Sequence, residues 1–461
     1  MDVKILEILQ AVNGKPAGNL REDIEIAKIS TDTRMLGKND VFFALRGPHF
    51  DGHDFITEAI EKGARHFIIS EPKKAPKNEK GEYNTILVKD VLTAYGDLAL
   101  FFRQKFKIPA VAITGSSGKT TVKELVAHAL SSKYSVLKNR GTENNLIGVP
   151  KTILQLEPAH QVLVLEMGTN QPGEIERLAS IINPQVGILT QIGHSHLEKL
   201  KNIEGVRDEK LGILTHLERG GTFFINGEDP MLKQVRSGAH RMVRVGFEKE
   251  GNDFFADHIW CHENGSNFHL NGKEIFEIPL IGRHNILNAL MAIAVSLTLG
   301  VEVEAIRESL KEFKPVSGRL NMKNIDGITF IDDSYNSNPT SFRAALETLK
   351  SFKTRGKKGV VFGDMLELGD KAQDFHREIG VLLSEMMFDF VIAAGPFAHV
   401  AAEEALKKGF NRSRLYQVGN SVEAGNLCRQ MVAAGDMVLV KGSRGMKMEK
   451  VLECFTPSST R

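Results

Sequence analysis

Cysteine is scarce in this sequence, and its three cysteines, Cys261, Cys428 and Cys454, are widely spaced. They provide neither a zinc-ligand spacing nor the disulfide framework that is typical of small secreted proteins. No hydrophobic run approaches the roughly 20 residues that cross a bilayer. The first ten residues, M-D-V-K-I-L-E-I-L-Q, are typical of an amphipathic helix and not of a signal peptide. We therefore expect a cytoplasmic protein without a membrane span.

An excess of either charge is also absent. Lys and Arg number 59 and Asp and Glu number 57, so the formal net charge is only +2, which argues against nucleic acid as a partner. No N-K-x-D tetrapeptide occurs, so the guanine selectivity of common GTPases has no support. No internal repeat or low-complexity segment is present. At 461 residues the chain is too long for one core and predicts two or three domains.

The most informative feature that is present is a glycine-rich loop. The segment Ala112–Thr121 reads A-I-T-G-S-S-G-K-T-T; it follows an apolar, strand-like run and precedes Val122–Leu130, whose apolar residues recur at helical spacing. A strand, a glycine turn and a helix N-terminus together cradle a polyphosphate, with Lys119 adding positive charge and Thr120 a hydroxyl ligand for Mg²⁺. The first glycine, Gly115, stands two positions later than in the general pattern, so the loop is T-G-x-x-G-K-T.

Strand-like and helix-like segments alternate along the chain and predict an α/β protein with mainly parallel sheets. Boundaries near Ile108–Pro109 and Lys314–Pro315 divide it into three domains at residues 1–107, 108–315 and 316–461. Helices are predicted at Ala94–Phe106 and Ile203–Leu217. Strands are predicted at Arg65–Ser70, Thr85–Val88, Val162–Glu166, Val186–Thr190, Thr222–Ile225, Ile328–Ile331, Gly359–Phe362, Phe390–Ala393 and Met437–Val440.

Several polar residues follow predicted strands, where open α/β sheets bind ligands. Glu166 ends an apolar strand and is either a Mg²⁺ ligand or a capping or ion-paired acid. His194 and His196 lack a third ligand at zinc spacing, so each by itself is interpreted as a polar loop residue. Lys210 lies in a helical segment with neighbouring charged residues, and its local pattern indicates a solvated helical face.

Three further polar clusters keep two interpretations each. Asn285 and Asn288 open an apolar helix and either cap it, the favoured reading, or face a base. The segment Asp332–Pro339, D-D-S-Y-N-S-N-P, is either a plain loop or a ligand clamp. The segment Lys441–Arg444 follows the last strand and is either an anion site or an ordinary loop.

Taken in order, T-G-S-S-G-K-T-T, E-M-G-T-N-Q-P-G-E-I, G-H-S-H-L-E, G-R-H-N-I-L-N-A and D-D-S-Y-N-S-N-P resemble the motifs of the Mur ligase superfamily. These are ATP-dependent amide-bond-forming enzymes of peptidoglycan precursor synthesis. The stretches T-D-T-R-M-L, F-F-A-L-R-G, F-D-G-H-D-F, G-T-E-N-N-L-I-G-V-P and V-F-G-D-M-L-E-L-G are most similar to the branch that adds D-alanyl-D-alanine to UDP-N-acetylmuramoyl-tripeptide. The D-N-P-R tetrapeptide of the diaminopimelate-adding branch is absent.

The resemblance implies a small N-terminal α/β domain for the UDP-substrate, a central ATP-binding domain and a C-terminal Rossmann-like domain. It implies ATP and Mg²⁺ as cofactors, with Lys119, Lys210 and His196 as catalytic residues. The implied ATP-binding residues are Gly115, Ser116, Ser117, Gly118, Lys119, Thr120, Thr121, Asn288, Arg319 and Asp333. The implied metal ligands are Thr120, Glu166, His196 and Lys210, the last as a carbamate.

For the substrates, the resemblance implies three groups of residues. The UDP-muramoyl-peptide would contact Thr31, Asp32, Thr33 and Arg34 through its uridine diphosphate, with Arg34 on the pyrophosphate, and Thr142, Asn144 and Asn145 through its muramoyl-peptide part. D-alanyl-D-alanine would lie near Asn336, Asn338, Ser443 and Arg444. We expect a monomer that closes around these small molecules. The alternatives are a folylpolyglutamate synthetase-like ligase and a P-loop protein that switches a binding surface without amide chemistry.

Overall fold

The computed structural model describes residues 3–18, 20–21, 23–37, 39–77 and 82–455. Three sheets follow one another along this part of the chain and confirm the predicted α/β class. Each predicted strand is present, with its ends shifted by at most two residues. The predicted N-terminal helix begins at Ile5, and Met1 and Asp2 lie outside the described residues. Among the described residues, no helix combines the length and the apolar content that a bilayer crossing requires.

The first sheet has the strand order β1-β5-β4-β3-β2 and is parallel except for the antiparallel pair of β1 and β5. The sequence did not indicate β1 to β3, which are two to four residues long. The elements are α1 (Ile5–Ala11), β1 (Lys15–Pro16), β2 (Lys28–Ser30), β3 (Asp40–Phe43), α2 (Ile56–Glu61), β4 (His66–Ile69), β5 (Asn84–Leu87) and α3 (Val91–Gln104), with 3-10 turns at Thr33–Met35, Gly52–Phe55 and Pro72–Lys74.

The second sheet contains nine strands in the order β14-β13-β12-β11-β10-β9-β6-β8-β7. It is parallel from β7 to β12, and β12, β13 and β14 extend it as an antiparallel meander that was not predicted. The elements are β6 (Ala110–Thr114), α4 (Lys119–Leu130), β7 (Val136–Lys138), α5 (Gly148–Ile153), β8 (Val162–Glu166), α6 (Glu174–Ile182), β9 (Val186–Leu189), α7 (Leu197–Leu200), α8 (Ile203–Leu211), a 3-10 turn (Gly212–Thr215), β10 (Thr222–Asn226), β11 (Arg241–Gly246), β12 (Phe254–His262), β13 (Gly265–Leu270), β14 (Glu274–Ile278), α9 (Arg283–Thr298) and α10 (Val303–Lys311).

The third sheet has the order β15-β16-β20-β17-β18-β19 and is parallel except for β15. The elements are β15 (Asn321–Ile325), β16 (Ile328–Asp333), α11 (Pro339–Ser351), β17 (Lys358–Gly363), α12 (Ala372–Met386), β18 (Phe390–Ala394), α13 (Pro396–Lys407), β19 (Leu415–Val418), α14 (Ser421–Met431), β20 (Met437–Lys441) and α15 (Glu449–Glu453), with 3-10 turns at Gly369–Lys371, Arg412–Arg414 and Arg444–Met446.

Strand β6 shows why the second sheet is buried on both faces. Its residues alternate between two cores: Ala110 and Ala112 face one, and Val111 and Ile113 face the other. This alternation follows from the two-residue period of a strand, and helices on both faces are what parallel sheets require. Helices α4, α9 and α10 contribute to the second of these cores. Because β6, β8 and β9 are parallel, their carboxyl ends lie at the same edge of this sheet.

Candidate active site

The glycine-rich loop between β6 and α4 is held tightly by its surroundings. Gly115 has φ +150° and Gly118 has φ +81°, both positive. A Cβ on Gly115 would lie 1.9 Å from Thr190 Oγ1, and one on Gly118 would lie 2.7 Å from Asn288 Oδ1, so neither position accommodates a side chain. Lys119 Nζ donates to the Gly115 carbonyl at 2.8 Å, which holds the ammonium over the loop. The arrangement is that of an anion cradle at a helix N-terminus.

A buried carboxylate faces this cradle from the end of β8. Glu166 is 1% exposed, and its two oxygens accept from Thr120 Oγ1 at 2.8 Å and Asn144 Nδ2 at 2.7 Å. Both donors are neutral, so these hydrogen bonds leave the negative charge without an ion-pair partner. A buried carboxylate in this state suits a hard divalent cation, which prefers oxygen ligands. The sequence-based interpretation of Glu166 as a capping acid is therefore wrong.

Residues of the third sheet's domain reach into the same cradle. Arg319 Nη2 donates to Thr120 Oγ1 at 2.9 Å, and its guanidinium lies 4.3 Å from the centre of the Tyr335 ring. Asn338 Nδ2 donates to Ser117 Oγ at 3.0 Å. Its Oδ1 also accepts from the backbone N–H of Ser341 at 2.8 Å, which caps α11. One asparagine thus fixes a helix end and touches the glycine-rich loop.

These groups surround a cavity of about 370 Å³ between the second and third sheets. Many of the residues singled out from the sequence line it: Ser116, Ser117, Gly118, Lys119, Thr120, Thr121, Thr142, Asn144, Asn145, Glu166, His196, Asn288, Arg319, Asp333, Asn336 and Asn338. Others do not line it: Thr31, Asp32, Thr33, Arg34, Gly115, Lys210, Ser443 and Arg444. The segment Asp332–Pro339 is therefore part of a cavity wall and not a plain surface loop.

Lys210 lies on α8 and is only 1% exposed, so the prediction of a solvated face from its local sequence is wrong at this position. Helix α8 packs on α6. Glu209, which precedes Lys210 on α8, accepts hydrogen bonds from the backbone N–H groups of Gly173 at 2.6 Å and Ile175 at 2.9 Å. Within the described part of the chain, the Lys210 ammonium has no hydrogen bond or ion pair. Burial, and secondarily the charge of Lys119, lower the pKa of Lys210 well below its usual value.

The second histidine of G-H-S-H-L-E forms another contact between the sheets. His196 has φ +53°, and its Nδ1 lies 2.7 Å from Glu367 Oε2, on the segment after β17. This contact lowers the pKa of Glu367. The His194 ring packs 4.6 Å from the Phe375 ring and does not line the cavity. The two histidines therefore have different surroundings, which their sequence spacing did not distinguish.

Comparison with known proteins identifies the family to which this chain belongs. Three family models match the chain: "Mur ligase family, catalytic domain" at residues 25–103, "Mur ligase middle domain" at 113–296 and "Mur ligase, glutamate ligase domain" at 318–444. The chain belongs to the Mur ligase family. The UDP-N-acetylmuramoyl-tripeptide–D-alanyl-D-alanine ligase of Bacillus subtilis is 34% identical over 451 residues, which cover 97% of each chain.

Two solved structures of Mur ligases are also similar. The crystal structure of MurF from Acinetobacter baumannii superposes with a TM-score of 0.88 at 33% identity, covering 97% of both chains. The MurF ligase from Thermotoga maritima in complex with ADP superposes with a TM-score of 0.84 at 30% identity, covering 94% of this chain and 98% of that one. Use of ATP by this chain follows from its membership of the Mur ligase family.

In this Mur ligase, the residues predicted to bind UDP form a separate group after β2. The side chains of Asp32 and Arg34 pair at 2.6 Å, with the arginine side chain 81% exposed. Hydrogen bonds from Arg34 lower the pKa of Asp32 to about 2. Thr33 Oγ1 donates to Glu58 Oε1 at 2.9 Å. The structure therefore presents an exposed guanidinium at the carboxyl end of a parallel strand, outside the central cavity.

The two residues predicted after β20 have unequal surroundings. Ser443 is buried; its Oγ accepts from the Leu366 N–H at 2.9 Å and lies 3.3 Å from the Ser337 carbonyl. Arg444 is exposed and donates to Glu449 at 3.0 Å. Ser443 therefore ties two loops of the third sheet together, whereas the Arg444 side chain is accessible to solvent.

Sequence reasoning also missed one residue of this Mur ligase site, left another undecided and misread two others. Lys441 belongs to the segment that was predicted to be either an anion site or an ordinary loop; it is 1% exposed, lines the cavity and donates to Asp333 Oδ2 at 2.5 Å. His284 lines the cavity, and burial lowers its pKa to about 4. The favoured capping role of Asn285 and Asn288 is wrong, because Asn285 donates back to the Ile281 carbonyl and Asn288 donates to Asn285.

Proposed function

We propose that this chain is an ATP-dependent ligase that joins D-alanyl-D-alanine to UDP-N-acetylmuramoyl-tripeptide, giving UDP-N-acetylmuramoyl-pentapeptide, ADP and phosphate in peptidoglycan synthesis. The observation that carries the proposal is the hydrogen bond from Arg319 to Thr120, which places a cation of the third sheet's domain on the phosphate cradle of the second. The name of the Bacillus subtilis relative, similar over nearly the whole chain, supports the choice of substrates.

The charges of the cavity suit the first step of this reaction. A peptide carboxylate is a poor acylating group, so the γ-phosphoryl group of ATP is transferred to it, which gives an acyl phosphate and ADP. Two anions must approach each other in that step. Lys119 and Arg319 offset their repulsion and stabilise the transferring phosphoryl group. The neutral amine of D-alanyl-D-alanine then attacks the acyl carbon, the acyl C–O bond to phosphate breaks, and the nitrogen loses one proton as the amide bond forms and phosphate leaves.

The donor set beside the cradle fits Mg²⁺. Thr120 and Glu166 would hold the ion, since Glu166 is a buried carboxylate whose hydrogen-bond donors are neutral. His196 would join through Nε2, because Glu367 engages Nδ1 and orients the ring, as carboxylates do for metal-binding histidines. When bound, Mg²⁺ would neutralise phosphate charge.

We propose a carbamate at Lys210, formed when its amine attacks CO₂ and loses a proton. The attack needs the neutral amine, and the lowered pKa of this buried, unpartnered lysine favours that form. The charge of Lys119 also lowers the Lys210 pKa and so favours the neutral amine that reacts. Lys210 would then contribute as a metal-binding anion and not as a cation.

The remaining assignments are proposed on the same basis. The UDP moiety is assigned to Thr31, Asp32, Thr33 and Arg34, since an exposed guanidinium suits a diphosphate. The muramoyl peptide is assigned to Thr142, Asn144 and Asn145, and D-alanyl-D-alanine to Asn336, Asn338, Ser443 and Arg444. We propose domains at residues 1–107, 108–315 and 316–461, each containing one sheet, and a monomeric, cytoplasmic enzyme.

The test is phosphate release with ATP, Mg²⁺ and UDP-N-acetylmuramoyl-tripeptide, with and without D-alanyl-D-alanine, while product mass is followed. We expect release that depends on the dipeptide and a product heavier by one dipeptide less one water. Glu166→Gln keeps the side-chain shape and is expected to raise the Mg²⁺ concentration needed for half-maximal rate. Protein that binds ATP but releases no phosphate with either substrate would contradict the proposal.

A further inference from the structure

Two histidines and an aspartate meet on the outer edge of the second sheet, away from the cavity. Asp257 and His258 lie on β12, and His269 lies on β13. One ligand atom from each lies within 4.8 Å of the others. Three strands, β11, β10 and β9, separate β12 from β6, and none of the three residues lines the cavity. The established family chemistry therefore does not account for this cluster.

The cluster depends on an irregularity in β12. Asp257 pairs directly with His269 across the antiparallel ladder, so their side chains share one face. In a regular strand His258 would point to the opposite face. Here the register shifts between Asp257 and Trp260, and His258 has φ +46°. The His258 ring consequently stacks on the His269 ring, with centroids 4.7 Å apart, and its Nδ1 lies 3.2 Å from Asp257 Oδ1.

A second observation concerns the oxygen atoms of this face. Asp257 Oδ1 is buried and accepts no hydrogen bond among the described residues, because His258 Nδ1 at 3.2 Å is not in hydrogen-bonding geometry with it, although a buried carboxylate oxygen normally has a donor. Asn267 Oδ1, two positions from His269 and hence on the same face of β13, is also buried without a donor. Two buried oxygen atoms without donors therefore accompany the two imidazoles. A bound cation would stabilise such oxygen atoms.

We propose that Asp257, His258 and His269 form a binding site for a divalent first-row transition ion of the Zn²⁺ class. Imidazole nitrogen with one carboxylate oxygen is a donor set that such ions prefer over Mg²⁺. Ligand atoms at about 2.1 Å from one tetrahedral ion lie about 3.4 Å from each other. The His258 side chain is 72% exposed, so its ring is free to turn toward that geometry. Solvent supplies the fourth ligand.

The fluorescence of a nearby tryptophan can be used to measure binding at this site. Trp260 is the one tryptophan in the sequence, it is 67% exposed, and it lies two residues after His258 on the same strand. At about 3.3 Å per residue along a strand, its Cα lies roughly 7 Å from that of His258. A paramagnetic ion such as Co²⁺ at the site quenches its fluorescence. The signal therefore locates binding on the meander, whatever else binds in the cavity.

The experiment titrates Co²⁺ into the metal-free full chain without an affinity tag, in excess Mg²⁺, and then displaces it with Zn²⁺. We expect saturable quenching with one equivalent, reversed by Zn²⁺. His258→Asn tolerates a left-handed backbone and His269→Thr suits a strand, and each is expected to weaken Co²⁺ binding at least tenfold. His262→Ala, whose imidazole lies 5.6 Å from Trp260, is the matched control and is expected to bind like the wild type.

Other results would overturn the proposal. Absence of saturable quenching in the wild type shows that the cluster is only a stacked histidine pair. Wild-type quenching in His258→Asn and His269→Thr, or equal loss in His262→Ala, places the ion elsewhere. Far-UV circular dichroism and thermal melting of each variant establish that lost binding is not lost folding. Ligase activity is expected to stay unchanged in all three variants.

Discussion

Replacing Arg319 with alanine removes one of the contacts that join the third sheet's domain to the phosphate cradle. The guanidinium donates to Thr120 Oγ1 at 2.9 Å and stacks 4.3 Å from the centre of the Tyr335 ring. A hydrogen bond that involves a charged group is worth about 1.5–3 kcal/mol. At about 1.4 kcal/mol for each tenfold change, its loss lowers kcat/KM for ATP by about 10- to 150-fold. A larger decrease would measure direct stabilisation of the transferring phosphoryl group by the same cation.

The assay is steady-state phosphate release as a function of ATP concentration, together with ADP affinity from calorimetry. Arg319→Lys retains the charge without the planar fork and is expected to recover only part of the rate. Arg377→Ala is the matched control, since that arginine is exposed on α12 and its hydrogen bonds among the described residues go to its own helix neighbours Asp374 and Gln373. A folded Arg319→Ala enzyme with wild-type kcat/KM, or an equal loss in Arg377→Ala, would refute the reasoning.

Three further predictions concern single side chains. Asn338→Asp keeps the cap of α11 but places a carboxylate beside Ser117, so thermal melting is expected to be unchanged while ADP affinity decreases. His66 is buried with its pKa lowered to about 4, and its unprotonated Nδ1 accepts from Asn84. The folded state thus binds fewer protons than the unfolded state between pH 6.5 and about 4, so His66 reduces the free energy of unfolding by roughly 3 kcal/mol as pH falls through that window. In His66→Gln this part of the decrease in unfolding free energy at acid pH, measured by urea unfolding, is expected to disappear. Lys210→Met removes a buried amine without a partner, so the melting temperature is expected to stay equal or rise while phosphate release decreases strongly.

Each of these predictions has an outcome that contradicts it. Equal ADP affinity in Asn338→Asp would show that the contact with Ser117 does not affect the nucleotide site. For His66, the control is His49→Gln, which changes an exposed histidine. If the unfolding free energy of His66→Gln decreased at acid pH as much as that of the wild type, His66 would not be its cause. Wild-type phosphate release in Lys210→Met would exclude Lys210 as a metal-binding anion.

The parts of the fold that the sequence predicted are those set by local patterns. Val162–Glu166 is a buried apolar run that ends in an acid, and Gly115 to Thr121 link a strand to a helix. Burial on both faces makes such strands uniformly apolar, so their positions are visible without tertiary information. The meander strand Phe254–His262 was missed, because its polar and apolar residues are mixed and its register shifts within the strand.

The sequence by itself determined the phosphate cradle, since the glycines, Lys119 and the helix start are neighbours along the chain. Only the tertiary structure decided which distant side chains complete it. Arg319 reaches Thr120 across 199 positions of sequence. Lys210 has a charged local context, yet the packing of α8 against α6 buries it and lowers its pKa. The physical reason is that burial and electrostatic environment depend on what packs against a residue, whereas strand and turn formation depend mostly on its immediate neighbours.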